Sequence, residues 1–282
     1  MSELFSGFVY FSVILGGQAL SLLAKAFNNI LDLACTPLGS TFSMQSVLEE
    51  WYEKLREVHK SYANLNLDNE LKMAFTLEEA LRNFPIYDTI VKSNQDLREK
   101  FITAKEMLHS TNKSYYEARE ILEEVVDSAQ SILSNAYRNA ISQSLTDSLS
   151  ELNYKIEECK DDSATAIWAT KGEKAMAVII DDKGNIQIDM KGFEGLSCQE
   201  EKQKLISLLE DKGVIFKQVS GLVHRRKEGG QLIQKVLKIS KKNRLSLSQA
   251  LLKTAQERKT SERDRQRIWG ALFNYLSAKE VI

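Results

Sequence analysis

From Leu97 to Ala136, twelve positions fall in unbroken alternating steps of three and four residues. They are Leu97, Phe101, Ala104, Leu108, Thr111, Tyr115, Ala118, Leu122, Val125, Ala129, Ile132 and Ala136. Such steps keep one stripe of side chains on a single face of an α-helix, so this region folds as a coiled coil or a long helical hairpin. A shorter run of the same kind occupies Leu48, Trp51, Leu55, Val58, Tyr62 and Leu65. Charges crowd the other faces, as in "EAREILEEVVD", and form a solvated exterior. After Ala136 the stripe moves to Tyr137, Ile141, Leu145, Leu149 and Leu152, a change of phase expected where a helix leaves one set of neighbours for another. Pro85 should end the helix containing "LEEALRNF". "HSTNKS" (109–114) is a run of poor helix formers in which Ser114 and Glu117 fit a capping box. The phase survives across it, which leaves one helix and a hairpin both open.

A hydrophobic fraction of 43% with 27% charged residues belongs to a folded chain. Two prolines and thirteen glycines in 282 residues favour long helices over a many-stranded barrel. Cys35, Cys159 and Cys198 are an odd count, far apart, and read as reduced thiols in a cytoplasmic setting. The net charge of −1 conceals an asymmetry, because residues 221–282 hold 15 Lys and Arg against 5 Asp and Glu. Either the acidic and basic parts neutralise each other within a fold or between subunits, or the basic part meets nucleic acid or another polyanion.

Twenty-one uncharged residues separate Glu3 from Lys25. As a helix that run is about 30 Å long, enough to cross a bilayer. Glu3 and the lack of a positive n-region argue against a cleaved signal peptide. The expectation is a buried or oligomer-forming apolar helix within residues 1–40, with Gly16 and Gly17 at a tight helix contact. The alternative is a membrane anchor formed by residues 4–24.

Beyond "SELNYKIEECKDD" the period changes. "TAIWAT" (165–170), "KAMAVIID" (174–181) and "NIQIDM" (185–190) read as strands separated by hairpin signals. Gly184 would supply positive φ in the turn Asp182-Lys183-Gly184-Asn185. An amphipathic helix follows, with Leu205, Ile206, Leu208 and Leu209 inward and Gly213 as its stop, and "VIFKQV" is a candidate fourth strand. "DKGNIQIDMKGFEGLSC" and its Leu-rich helix resemble a small bacterial domain family of unknown function with the pattern DxxGxIxIxxxGFxGxSC. The resemblance covers residues 173–213. It implies an accessory or adaptor module, often encoded beside AAA+ ATPases, and carries no catalytic residues.

Ser197 suits an N-cap and places Cys198 in the first helical turn, where a thiol pKa can fall. A cysteine nucleophile needs a base, and the histidines are His59, His109 and His224, none adjacent in sequence. Packing is therefore the expected role of Cys198, with a thiol enzyme as the alternative. No P-loop, GxGxxG, HExxH or CxxC pattern occurs, so no cofactor or metal is expected. In the basic part, Arg225, Arg226, Lys241, Lys242 and Arg244 are candidate phosphate contacts. A helix-turn-helix around "RKTSE" would offer Arg263, Arg265 and Arg267 to a groove, against the competing reading of a helical cap facing acidic helices.

The expected fold is mainly α with a small α+β module. An apolar helix (1–40) precedes a helical coiled-coil or hairpin region (41–155). A three- to four-stranded antiparallel sheet with one packed helix (160–220) and short basic helices (221–282) follow. The expected function is a non-enzymatic, cytoplasmic scaffold that self-assembles or binds a protein partner such as an AAA+ ATPase. The alternatives are a nucleic-acid-binding protein and a membrane-anchored assembly component.

Overall fold

The computed structural model describes residues 9–26, 41–110, 115–193, 197–221 and 229–256. In chain order these form β1 (Val9–Gly16), α1 (Gly17–Ala26), β2 (Thr41–Phe42), α2 (Met44–Ala63), α3 (Asn69–Asn83), α4 (Pro85–Ser93) and α5 (Gln95–His109). Then come α6 (Tyr115–Glu151), β3 (Lys155–Lys160), β4 (Ala164–Lys171), β5 (Lys174–Asp181), β6 (Ile186–Lys191), α7 (Ser197–Asp211), β7 (Val214–Gly221), α8 (Gln231–Asn243) and α9 (Leu247–Gln256). The chain is mainly α with an α+β module. Residues 45–133 belong to a helical unit, and 9–26, 41–44 and 134–256 to an α/β unit.

The helical unit keeps most of the expected stripes, although Leu65, the last position of the shorter one, is 47% exposed. Trp51, Phe84 and Tyr87 meet with ring centroids 4.9–5.5 Å apart, and Leu55, Leu77 and Leu81 are fully buried. Pro85 ends one helix and begins the next: Phe84 is the C-cap of α3, and the proline takes the first position of α4, where its missing N–H costs nothing. Lys100 of α5 pairs with Glu124 of α6 at 2.8 Å, across 24 residues of chain. That pairing makes α5 and α6 an antiparallel hairpin, with Leu97, Ala104, Leu108, Ala118, Leu122, Val125 and Ala129 buried as its seam. Ser114 and its capping box lie outside the described residues.

Helix α6 runs for 37 residues and changes its buried stripe on the way. Up to Leu133 it serves the helical unit, and from Ser134 it serves the α/β unit. Beyond the boundary the buried positions become Tyr137, Ile141, Leu145 and Leu149, as expected from the sequence, while Leu152, expected to continue the stripe, lies past the helix end and is only partly buried.

In the α/β unit every strand pairing is antiparallel. β3, β4, β5 and β6 form a four-stranded meander, β1 pairs with β6 through Val9–Phe11, and β7 pairs with β1 on its other side. β2 extends alongside Leu15 and Gly16. Gly184 has φ +76 in the β5–β6 turn, where the Asp181 carboxylate accepts the Lys183 and Asn185 N–H groups.

Helices cover both faces of the meander. Ala164, Ala166, Trp168, Ala175, Ala177 and Ile179 form one core with Leu232, Ile233 and Val236 of α8 and Ala250, Leu251 and Leu252 of α9. The second half of α6 serves the opposite face, where the Tyr137 hydroxyl donates to the Val13 carbonyl at 2.7 Å and the Ser142 hydroxyl to Glu158 at 2.8 Å.

Four expectations are corrected. Residues 1–40 do not form one apolar helix. Val9–Gly16 is a strand paired on both sides, and only Gly17–Ala26 is helical among the described residues of that segment. "VYFSVILG" is rich in β-branched and aromatic residues, and an all-round apolar run suits a buried strand as well as a buried helix. The membrane helix considered for residues 4–24 fails for the same reason. Among the described residues no helix is long and apolar enough to cross a membrane. The module expected over 160–220 is also larger than drawn, since α8 and α9 complete its core instead of forming a separate basic region. "KIEECK", read as the end of the helical part, is the edge strand β3.

Candidate functional site

Cys198 stands in the first turn of α7, whose first residue is Ser197. Its surroundings oppose a thiolate. The Sγ atom lies 3.6 Å from Met190 Sδ. Burial pushes the thiol pKa up, Lys202 opposes this, and Asp189 adds to it. Neither His59 nor His109 belongs to the unit that carries Cys198, and His224 lies outside the described residues. His59 is itself buried, with Nδ1 3.3 Å from Thr76 Oγ1, and so does not sit among surface charges. Mapping of alkylated peptides at pH 7 should therefore find Cys198 slower to react with iodoacetamide than a free cysteine peptide. A faster reaction would revive the thiol-enzyme alternative.

Near Cys198, the N-terminal part of α7 is fixed by a second contact. The Tyr154 hydroxyl, next to β3, donates to buried Glu201 at 3.0 Å. Burial first, then this carboxylate, hold the phenol protonated well above its ordinary range.

Asp189 of β6 is a buried carboxylate, 2% exposed, held by several backbone groups. Its Oδ1 accepts the N–H groups of Gly230 at 3.0 Å and Met190 at 2.8 Å, and its Oδ2 accepts that of Ile233 at 3.0 Å. Gly230 is the N-cap residue of α8 and has no side chain to perform the capping. A carboxylate from a strand thus satisfies the open N–H groups of a helix forty residues downstream and places negative charge at the positive end of its dipole. Burial raises the Asp189 pKa, while the Ile233, Gly230, Met190 and Leu232 N–H groups pull it down.

Helix α8 is strongly amphipathic. Leu232, Ile233 and Val236 are fully buried against the sheet, and Lys238, Lys241 and Lys242 are exposed. Arg244, exposed and left-handed at φ 55, ends the helix with its N–H on the Ser240 carbonyl. Of the candidate phosphate contacts, Lys241, Lys242 and Arg244 therefore cluster at one helix end. Arg225, Arg226, Arg263, Arg265 and Arg267 lie outside the described residues, as does the helix-turn-helix around "RKTSE". The sequence reading missed Lys238 and Lys235, which the 3.6-residue period places on the same polar face.

Among the described residues, no group of three His, Cys, Asp or Glu side chains could hold a metal ion. Comparison of the chain with protein-family models, with curated proteins and with solved structures yields no match.

Proposed function

We propose that this chain is a non-catalytic, cytoplasmic scaffold that self-assembles or holds a protein partner. The observation that carries the reading is helix α6, one continuous element whose buried stripe changes at the boundary between two differently built units. An element shared in this way suits a protein that presents two surfaces, one from each unit. The burial of Cys198 adds support, because it pushes the thiol pKa up and so disfavours the thiolate at the best sequence candidate for a nucleophile. The partner class we propose is an AAA+ ATPase, which the resemblance of residues 173–213 implies.

The helical unit exposes Ile102 on α5 (47%) and Tyr116 on α6 (55%), and large apolar side chains of this kind are the anchors a partner covers. The test is light-scattering mass of the purified chain, alone and co-expressed with an AAA+ ATPase from the same genome. A discrete oligomer or a stable complex is expected. Ile102→Ser with Tyr116→Ser should weaken it about tenfold or more while leaving the helical content intact. A monomer that binds no ATPase would remove the proposal.

A further inference from the structure

The region from Gly229 to Gln256 carries Lys235, Lys238, Lys241, Lys242, Arg244 and Lys253, and no aspartate or glutamate. At the chain's average of 39 acidic residues in 282, a stretch of this length would hold about four. The bias is therefore not one of general composition. On α8 the polar arc consists of Gln231, Gln234, Lys235, Lys238, Lys241 and Lys242, so every ionised group on it is a cation.

A structural explanation covers part of this pattern. Cations near a helix C-terminus interact well with the dipole, and Lys241, Lys242 and Arg244 are there. That argument does not reach Lys238 in the middle of the helix, nor the lack of acids in the first turn, where they would be favourable. The negative charge at that end comes instead from Asp189, buried beneath the helix. Capping from below leaves the outer surface wholly cationic. Among the described residues, none of Lys238, Lys241, Lys242 and Arg244 makes an ion pair.

We propose that the outer face of α8, with Arg244, binds the phosphate backbone of double-stranded nucleic acid without regard to sequence. The chemistry favours this partner over others. Lys235 to Lys242 spans about 10 Å along the helix axis. Duplex DNA carries a negative charge every ~1.7 Å of its axis, so a band of lysines of this length faces several phosphates at once. On α8, Leu232, Ile233 and Val236 are fully buried and Leu237 and Ile239 are partly buried against the same core, which leaves no large exposed apolar face to enter a lipid surface. Single-strand binding uses aromatic stacking platforms. The large exposed hydrophobics among the described residues are Leu65, Ile102, Tyr116 and Ile215, and none lies on α8 or α9. The proposal is independent of the scaffold reading.

The experiment is fluorescence anisotropy of a labelled mixed-sequence DNA duplex titrated with the full chain across a salt series. Wild-type protein should bind at low salt and lose affinity linearly in log salt. The fourfold variant Lys238→Ala, Lys241→Ala, Lys242→Ala and Arg244→Ala should bind at least tenfold more weakly, with a salt slope shallower by about 3 to 4. Lys92→Ala, which removes an exposed lysine paired with Asp88 in the helical unit, should change nothing. An unchanged circular dichroism spectrum of the fourfold variant ties its defect to charge. The proposal is overturned if wild type does not bind the duplex at low salt, or if the fourfold variant binds as well as wild type. It is equally overturned if phosphatidylserine vesicles are bound and the duplex is not, or if the chain forms a salt-sensitive dimer that excludes the duplex.

Discussion

Asp189→Ala should lower the stability of the α/β unit by about 3 kcal/mol, and the thermal midpoint on the order of 10 °C. The side chain serves as the cap that Gly230 cannot provide, and it does so from a buried position in β6. Its removal leaves the N–H groups of Gly230 and Ile233 without acceptors at a buried helix end, at roughly 1–3 kcal/mol each. Part of that loss is offset because a buried carboxylate no longer has to be desolvated. Asp189→Asn keeps an oxygen acceptor and should cost about half as much. The pH dependence carries a definite sign. Burial raises the folded pKa of Asp189 above its unfolded value of about 4, so the native state binds the proton more readily between the two. In that window stability rises as pH falls, and Asp189→Asn should abolish this contribution. Urea unfolding from pH 4 to 7, followed by far-ultraviolet circular dichroism, measures both effects. A change below 0.5 kcal/mol for Asp189→Ala would show that α8 holds its place by apolar packing alone.

Asp189 also shows where the sequence misleads. In "NIQIDM" the alternation sets Ile186 and Ile188 on one face and Gln187 and Asp189 on the other, the pattern of a half-exposed strand. Yet Gln187 and Asp189 are 6% and 2% exposed. They share a face with Ala177 and Ile179, which α8 and α9 cover. The neighbouring strands carried the missing signal, since "TAIWAT" and "KAMAVIID" are apolar on both faces and so announce a sheet covered twice. The helical seam, by contrast, was legible in outline, because i to i+4 packing is local and leaves its period in the sequence, although the stripe turns earlier than expected, with Leu133 fully buried and Ile132 and Ala136 only partly so. β1 was not legible as a strand. Its partner β7 lies some two hundred residues away, with Val9 opposite Gly221 and Leu15 opposite Val214. Pairing at that distance leaves no periodic mark. The candidate phosphate contacts were half legible. Net charge pointed to the basic region, but recognising Lys238 required knowing which side of α8 the sheet consumes.

The corner where β1 becomes α1 yields the other large effect. Gly16 N–H donates to the Gly213 carbonyl at 2.7 Å, and Ala19 N–H to the Lys212 carbonyl at 2.8 Å. The turn after α7 and the turn after β1 are therefore pressed backbone to backbone. Gly213 adopts φ +86, and a Cβ built there would lie 2.0 Å from the Gly16 carbonyl oxygen. Neither backbone can retreat without breaking those two hydrogen bonds or the β1–β7 ladder beside them. Gly213→Ala should cost about 1–2 kcal/mol in left-handed strain, with overlap adding about 1–3 kcal/mol more. Gly172→Ala provides the control that separates the two terms. Gly172 is also left-handed, at φ +61, but nothing lies within 4 Å of where its Cβ would stand. That variant should lose only the conformational part, about 1 kcal/mol. Urea midpoints for the pair, at equal slope, measure the difference. Near-equal losses would mean that the corner yields easily and that the N-terminal strand is held by its ladder and not by this junction. A loss at Gly213 several times larger would instead mark the contact between these two turns as what fixes β1 in the sheet.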